Sequence, residues 1–200
     1  MALEHAILGF LDYAPMSGYD LKKTFDESVR HFWTAQQSQI YRTLKRMQQD
    51  GWVRIEVVKQ DDRPDRKVYH ITPTGRQELE RWLAAPAGPE LFRSEWLVKV
   101  FFASRLGDSE IHAMFRERAD TLRAKFAHLQ DATQGALDEG AAKCGEPRDC
   151  ALWQLTLEYG IAYYRWELEW MEQAMERLAR LPPGADRAGN GENAENGGNG

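Results

Sequence analysis

The chain has 200 residues and a formal net charge of −5, with 42% hydrophobic and 28% charged residues. It contains no window of the roughly 18 uncharged apolar residues that a membrane-spanning helix needs, and it does not begin with the basic segment of a signal peptide. We therefore expect a soluble cytoplasmic protein, built from two small domains.

The negative charge is unevenly distributed along the chain. Residues 1–85 carry a net charge of +1 and the remaining residues carry −6. A DNA-binding protein needs positive charge on one face rather than a basic total, so the net charge does not exclude a nucleic-acid partner. The spacing of Cys144 and Cys150 matches neither a redox pair nor a zinc ligand set, and both are expected to be reduced thiols.

Three helices are predicted in the first 50 residues. The first follows apolar positions at three- and four-residue spacing from Leu3 and stops before Pro15. Ser17 and Asp20 have the Ser-x-x-acid pattern of a helix start, so Ser17 is expected to cap the second helix. The third runs from about residue 35 to residue 50. Its predicted buried side consists of Ile40, Leu44 and Met47.

A β-hairpin and a fourth helix follow. Apolar residues alternate with polar ones from about residue 53 and again over 67–71, which is typical of half-buried strands. The polar loop 59–66 joins the two strands. Thr72 and Pro73 form the cap and first position of the next helix, and Pro86, Gly88 and Pro89 mark a domain boundary.

The second half of the chain is predicted to be helical. Residues 91–106 are apolar on more than one side, which favours a helix buried between partners. Another helix begins at Asp108 or Ser109, and a long one runs from about residue 150 to residue 181. Residues 182–200 have almost nothing to bury and are expected to be disordered. The predicted domains are therefore 1–85 and 86–181, followed by the tail.

Three helices, a two-stranded hairpin and a further helix within 85 residues make up a winged helix-turn-helix, in which the third helix enters the major groove of DNA. The predicted fold class is mainly α, with this winged helix at the N-terminus and a helical dimerisation domain at the C-terminus. This organisation makes the third helix the candidate recognition helix.

The exposed face of the third helix is predicted to contact DNA. On a helical wheel, the side opposite Ile40 and its flanks carry Ser38, Gln39, Tyr41, Arg42, Lys45, Arg46 and Gln49. Guanidinium, ammonium, amide and hydroxyl groups are those that contact base edges and phosphates. The alternative is an ordinary solvated helix face, which the same residue types would also form.

Phosphate contacts are expected at two further places. The tip of the hairpin carries Lys59, Arg63, Arg66 and Lys67, although Asp61, Asp62 and Asp65 dilute their charge. The backbone N–H groups from Ser17 to Tyr19 could bind a phosphate at the start of the second helix, although an ordinary cap needs no ligand.

Several stretches resemble the PadR-like family of transcriptional regulators, and the resemblance spans residues 1 to about 181. The matching stretches are residues 6–11, 17–21, 32–33, 38–41, 44–51 and 69–72 with Gly75. The resemblance implies a dimeric repressor with a winged helix and a helical C-terminal domain. It places Ser38, Gln39, Tyr41 and Arg42 at the DNA, and it implies a response to small aromatic molecules such as phenolic acids or to hydrophobic drugs.

The long C-terminal helix is predicted to form a dimer interface. Its apolar stripe covers roughly eight turns, which is more than one small domain can bury, although a core helix within one chain is the alternative. A two-fold dimer would place two recognition helices about 34–36 Å apart and would therefore bind a palindromic operator. The expected interface residues are Leu152, Leu155, Tyr159, Ala162, Trp166, Trp170, Ala174 and Leu178.

Aromatic residues of the C-terminal helices are candidates for an effector site, although most aromatic residues of a helical protein pack its core. A flat aromatic ligand could stack on Trp96, Trp153, Tyr159 and Tyr163. These residues are expected to face the winged domain or the dimer mate.

No nucleophile with a base, metal cluster or phosphate loop occurs at a recognisable spacing, so neither an enzyme nor a cofactor or metal site is predicted. One alternative function is a winged-helix protein-interaction module without sequence-specific DNA binding, which the nearly neutral first half leaves open. The sequence favours a regulator that binds operator DNA as a homodimer, and the family resemblance implies a repressor that is released by a small aromatic ligand.

Overall fold

The computed structural model describes residues 2–59, 65–88, 92–138, 146–180 and 182, with the side chains of the third range described as far as residue 131. The chain divides into two compact units, Met1–Glu90 and Leu91–Gly200. This division lies close to the predicted boundary after residue 85. Apart from Pro182, the tail predicted over residues 182–200 lies outside the described residues.

The first unit is a winged helix. Its helices are α1 (Ala2–Tyr13), α2 (Gly18–Ser28), α3 (Gln37–Gln49) and α4 (Pro73–Ala84), and its strands are β1 (Met16–Ser17), β2 (Val53–Val58) and β3 (Arg66–Ile71). The strands form an antiparallel sheet in the order β1-β3-β2, and β2 and β3 form the wing. The predicted winged helix is therefore confirmed, with the short β1 as a third strand that was not predicted.

One apolar side of each helix builds the core of this unit. The helical period brings Ile7 and Leu8 of α1 to the same cluster as Leu21 and Phe25 of α2. The predicted apolar side of α3 is completely buried in this cluster. Because one side of α3 is buried, its opposite side is the one that remains available to a partner.

The turn after α3 packs tightly against the start of α4. Gly51 has a φ of +73°, in the left-handed region that favours glycine. The hydroxyl of Thr72 accepts a hydrogen bond from the N–H of Gly75 at 3.0 Å and donates to the carbonyl of Gly51 at 2.7 Å. A Cβ on Gly75 would lie 2.3 Å from the carbonyl oxygen of Trp52, so this close approach requires glycine.

The described residues of the second unit form three helices, α5 (Glu95–Phe102), α6 (Asp108–Asp138) and α7 (Pro147–Leu178), with a 3₁₀ turn over Ala103–Arg105. The helical C-terminal domain is thus confirmed. The helix predicted over 91–106 is shorter, because the hydroxyl of Ser94 accepts a hydrogen bond from the N–H of Leu97 and caps α5 there. Residues 89–91 lie outside the described part of the chain.

A small core joins α6 to α7. Phe115 and Leu122 of α6 and Met171 of α7 are buried at its centre. Arg118 of α6 donates a hydrogen bond of 2.6 Å to the carboxylate of Glu167 on α7, a residue that is only 8% exposed. Since a buried carboxylate depends on its cationic partner, this ion pair links the two helices.

No helix in the described ranges has both the length and the apolar character needed to cross a membrane.

Cys150, in the first turn of α7, is disulfide-bonded, so the expectation of reduced thiols is wrong for this residue. Residue spacing gave no information on oxidation state, which depends on how the chain brings sulfur atoms together.

Candidate DNA-binding surface

One side of α3 is polar and exposed to solvent. It carries all of the residues that the helical wheel selects, Ser38, Gln39, Tyr41, Arg42, Lys45, Arg46 and Gln49. Three fully buried residues lie on the opposite side. The 3.6-residue period therefore separates a core side from a side able to meet a partner.

The three cations of α3 differ in their surroundings. Among the described residues, Arg42 and Lys45 form no ion pair and no side-chain hydrogen bond. Arg46 pairs with Glu4 of α1, whose side chain is buried. Arg46 therefore connects α3 to α1, while the charges of Arg42 and Lys45 are available to a partner.

Gln39 and Tyr41 hold the start of α3 in place. The backbone N–H of Gln36 donates a hydrogen bond of 2.9 Å to the side-chain oxygen of Gln39. The Tyr41 ring lies so close to α2 that a Cβ on Gly18 would be 2.5 Å from its Cε1 atom. Burial, and then the nearby Tyr41, raise the pKa of Tyr69 on β3. Tyr41 thus lies where α2, α3 and the wing meet, and its side chain remains partly exposed.

The start of α2 is occupied by a carboxylate of the protein itself. The hydroxyl of Ser17 donates to Asp20 at 2.7 Å, and the backbone N–H of Ser17 donates to the same carboxylate at 3.0 Å. Arg66 of β3 also pairs with Asp20. Burial raises the pKa of Asp20, but the hydrogen bonds from Ser17 and Arg66 outweigh this effect and lower the pKa below its ordinary value. The neighbouring Tyr19 side chain is exposed.

The described part of the wing carries further cations. Lys59 and Lys67 are exposed, and neither takes an ion-pair partner from the described residues. Arg54 of β2 is also exposed, and its guanidinium lies 3.2 Å from Nδ1 of His70. The sequence analysis did not select it as a DNA-contacting residue. Its alternation with the buried Val53 was the signal that could have identified it. The predictions made for Asp61, Asp62 and Arg63 lie outside the described residues.

The apolar stripe of α7 divides into two parts. Its first five positions, Leu152, Leu155, Tyr159, Ala162 and Trp166, are exposed. Its last three positions, Trp170, Ala174 and Leu178, pack against the core shared with α6. At about 100° per residue, Ala174 and Leu178 are rotated from Trp170 by about 40° and 80°, and so turn toward the side that carries Met171.

The four aromatic residues predicted to bind an effector lie in different surroundings. Trp96 packs edge to face against Phe115 and Trp170, at centroid distances of 5.2 Å and 5.7 Å. Exposed positions on α7 are occupied by Trp153, Tyr159 and Tyr163. The guanidinium of Arg118 lies 5.7 Å from the Trp96 ring centroid, a contact between α5 and α6 that no local pattern indicates. In the described part of the chain, no group of three or more His, Cys, Asp or Glu side chains is placed to hold a metal ion.

Two family models match the chain. Residues 7–81 match the model of the transcriptional regulator PadR-like family, and residues 92–179 match the model called virulence activator alpha C-term. A probable transcriptional regulator of Mycobacterium tuberculosis is 36% identical over 189 residues, which cover 89% of this chain and 98% of the relative. The negative transcriptional regulator PadR of Bacillus subtilis is 35% identical over 129 residues, covering 64% and 71%.

Solved structures share the fold over both units. The crystal structure of Bacillus subtilis PadR in complex with operator DNA has a TM-score of 0.76 at 28% identity and covers 89% of this chain and 99% of that chain. The same protein in complex with p-coumaric acid has a TM-score of 0.70 at 28% identity, covering 90% and 100%.

Proposed function

The chain belongs to the PadR-like family of transcriptional regulators, and we propose that it represses its target genes by binding a palindromic operator as a homodimer. The relative from Bacillus subtilis is named a negative transcriptional regulator, which supports repression. The operator complex of that relative supports DNA as the partner. A winged helix places its recognition helix in the major groove, so α3 of each copy is the element proposed to read the operator.

The exposed side of α3 is the observation that carries this proposal. Arg42 and Lys45 project from the side opposite the buried core and have no ion-pair partner among the described residues. An open guanidinium and an open ammonium one turn apart can meet guanine edges and phosphate oxygens. The nearly neutral charge of the first unit is then no obstacle, because binding depends on this local surface.

The position of each residue along α3 suggests its role. Recognition helices contact bases mainly with their N-terminal residues. We therefore assign base contacts to the start of the helix, at Ser38, Gln39, Tyr41 and Arg42. Lys45, one turn further, is assigned to a phosphate. Arg46 is assigned mainly to holding α3 against α1, because its guanidinium pairs with Glu4.

Contacts with the phosphate backbone of the DNA are proposed for the wing and for the start of α2. Lys67 is exposed, and we assign it to a contact with a DNA phosphate. Arg66 can contact a phosphate only while its guanidinium is also paired with Asp20. Tyr19 offers an exposed hydroxyl beside the same surface. The hydroxyl of Ser17 is already used in the helix cap, so its role is to fix this corner of the unit.

The exposed stripe of α7 supports a homodimer. Leu152, Leu155, Tyr159, Ala162 and Trp166 form an apolar side that the described residues of the same chain leave exposed. Covering this side with a second copy removes large apolar side chains from water, which favours association. A two-fold axis would set two α3 helices about 34–36 Å apart on one face of the duplex.

A small aromatic ligand is proposed to release the operator. The p-coumaric acid complex of the Bacillus subtilis relative supports this class of ligand. The residues selected from the sequence for it are Trp96, Trp153, Tyr159 and Tyr163, of which Tyr159 also belongs to the proposed dimer stripe.

As a regulator of transcription without a membrane-spanning helix in its described residues, the protein is proposed to act in the cytoplasm.

A mobility-shift assay with DNA from upstream of the protein's own gene tests the proposal. We expect a discrete complex that unlabelled DNA of the same sequence displaces and scrambled DNA of equal length does not. Arg42→Ala should weaken binding by about 1–3 kcal/mol and relax the preference at one base pair. Arg116→Ala, which removes an exposed arginine of α6 in the second unit, is the control and should bind like the wild type. Equal binding to both DNAs, or no binding to either, would overturn the proposal.

Activation of transcription is the second candidate, because residues 92–179 match a model named after a virulence activator. A reporter gene placed behind the bound promoter separates the two. Removing the regulator raises reporter expression if it is a repressor and lowers it if it is an activator.

A further inference from the structure

The side chain of Gln39 already uses one of its two polar groups within the protein. The backbone N–H of Gln36, the residue before α3, donates a hydrogen bond of 2.9 Å to the side-chain oxygen of Gln39. Gln39 is the third residue of α3, so the pair has the spacing of a capping box, in which a side chain holds a free N–H at the helix start. This contact also fixes the orientation of the amide, because an N–H donor faces the amide oxygen and not the NH₂ group.

The NH₂ group of Gln39 is therefore the part that is left for a partner. The side chain is exposed, and its NH₂ group has no acceptor among the residues that the structure describes. Arg42, three residues further along the helix, carries a guanidinium that also only donates hydrogen bonds. At these two positions the start of α3 thus offers donors to the major groove.

A free glutamine side chain commonly recognises adenine. Its oxygen accepts a hydrogen bond from the N6 amino group of the base while its NH₂ group donates to N7. Gln39 cannot present its oxygen to a base in this way while the cap is intact, because that oxygen faces the N–H of Gln36. The usual two-bond recognition of adenine is therefore not open to this residue.

A group that only donates distinguishes two classes of base in the major groove. Guanine presents the acceptor O6 and thymine presents the acceptor O4, whereas adenine and cytosine present an amino donor at the corresponding place. We propose that Gln39 contacts a guanine or a thymine of the operator through its NH₂ group and discriminates against adenine and cytosine. This inference rests on the proposed function, since it assigns a base to a helix whose partner is operator DNA.

Selection of sequences from a randomised DNA library by the full-length protein tests the assignment. We expect one base pair in each half-site at which guanine and thymine, on the contacted strand, bind about threefold to tenfold more tightly than adenine and cytosine, the range for one hydrogen bond. Competition binding with the four versions of that base pair measures the preference. Gln39→Ala should remove it.

Gln39→Glu separates the cap from the base contact. A carboxylate still accepts the hydrogen bond from Gln36, so the cap is retained and the melting temperature should match that of the wild type. Its second oxygen can only accept, so the preference at the same base pair should reverse to adenine or cytosine.

Gln37→Glu is the matched control for the added charge. Gln37 is exposed in the first turn of α3, and its replacement introduces the same negative charge beside the DNA. Repulsion from the phosphates should lower the affinity for every sequence alike, and the base preference should remain that of the wild type.

Two results would refute the inference: a wild-type preference for adenine at the base pair that Gln39→Ala affects, or unchanged base preferences in both Gln39→Ala and Gln39→Glu. Each of these results requires that the wild type selects a defined operator, so each leaves the proposed function intact. A wild type that enriches no sequence refutes the proposed function itself, and the base assignment with it.

Discussion

The guanidinium of Arg46 on α3 pairs with the buried carboxylate of Glu4 on α1, which joins the candidate recognition helix to the first helix of the fold. Arg42, one turn earlier on the same helix, has no such partner among the described residues. Two exposed arginines of the same helix therefore have different roles. One positions α3, and the other remains available for contact.

Replacing Arg46 with Ala should lower the free energy of unfolding by about 1–2 kcal/mol, because a buried carboxylate loses its cation. Breaking a fully buried pair costs about 3–5 kcal/mol, and the solvent around Arg46 reduces that effect. Urea denaturation measures the change. Arg42→Ala is the control and should stay within about 0.5 kcal/mol of the wild type. Equal stability of the two variants would contradict a positioning role for Arg46.

The salt dependence of operator binding tests the role of Lys45. If Lys45 neutralises one phosphate, Lys45→Ala should reduce the slope of log K against log salt concentration by about one unit. Lys45→Arg keeps the charge and should keep the slope. Titrations at several salt concentrations give this value, and an unchanged slope in Lys45→Ala would assign Lys45 to the solvated surface.

Gly75→Ala should destabilise the first unit. The added Cβ would meet the carbonyl oxygen of Trp52 at 2.3 Å, and because that atom belongs to the backbone of a tight turn, α4 has to move. Overpacking of this kind costs about 1–3 kcal/mol. Gly9→Ala is the matched control, since open space surrounds it, and it should stabilise α1 by about 0.5–1 kcal/mol. Thermal unfolding followed by circular dichroism distinguishes the two, and similar melting temperatures would refute the steric argument.

Glu78 should make stability depend on pH in the acidic range. Hydrogen bonds from Arg81 and then from His5 lower its pKa from 4.5 to about 2. Because the folded state holds the carboxylate charged, this contribution is complete above pH 4.5 and disappears as the pH falls toward 2.

Chemical denaturation across this pH range should therefore show a steeper loss of stability in the wild type than in Glu78→Gln. The exposed neighbour Glu80 provides the control, and Glu80→Gln should follow the wild type. Parallel pH profiles for the wild type and Glu78→Gln would mean that the carboxylate titrates alike in the folded and unfolded states.

A charge in the exposed stripe of α7 should separate the proposed dimer. Leu155→Glu places a carboxylate among apolar side chains that would be buried on association. Sedimentation analysis should then detect a monomer, and operator binding should weaken because the two half-sites are no longer held together. Gln154→Glu introduces the same charge on another side of α7 and should remain dimeric. A wild type that sediments as a monomer would exclude the interface.

The parts of the fold that the sequence predicts well are those that depend on a regular period. The buried side of α3 follows from the spacing of Ile40, Leu44 and Met47, and the cap of α4 follows from Thr72 and Pro73. Each of these signals lies within a few residues of its consequence. The exposed side of α3 was predictable for the same reason.

Contacts between distant segments carry no such signal. The pair of Arg46 with Glu4 depends on how α1 crosses α3, and the bridge from Arg118 to Glu167 depends on how α6 packs on α7. The stripe of α7 shows the same limitation, because its apolar spacing is regular while its last positions, such as Leu178, reach the side facing α6. The packing of α7 on α6 therefore determines which of these apolar positions are buried, and periodicity alone could not indicate it.

The ion pair between Asp20 and Arg66 ties the wing to the start of α2, and the hydrogen bonds of Ser17 hold the same carboxylate. A wing anchored in this way loses little conformational entropy when it meets a duplex, so less of the interaction energy is spent on ordering it. The preorganised corner also limits how far the wing can adapt to a half-site whose groove has an altered shape. Loosening it, as in Asp20→Asn, should broaden the range of operators tolerated while lowering the affinity for each.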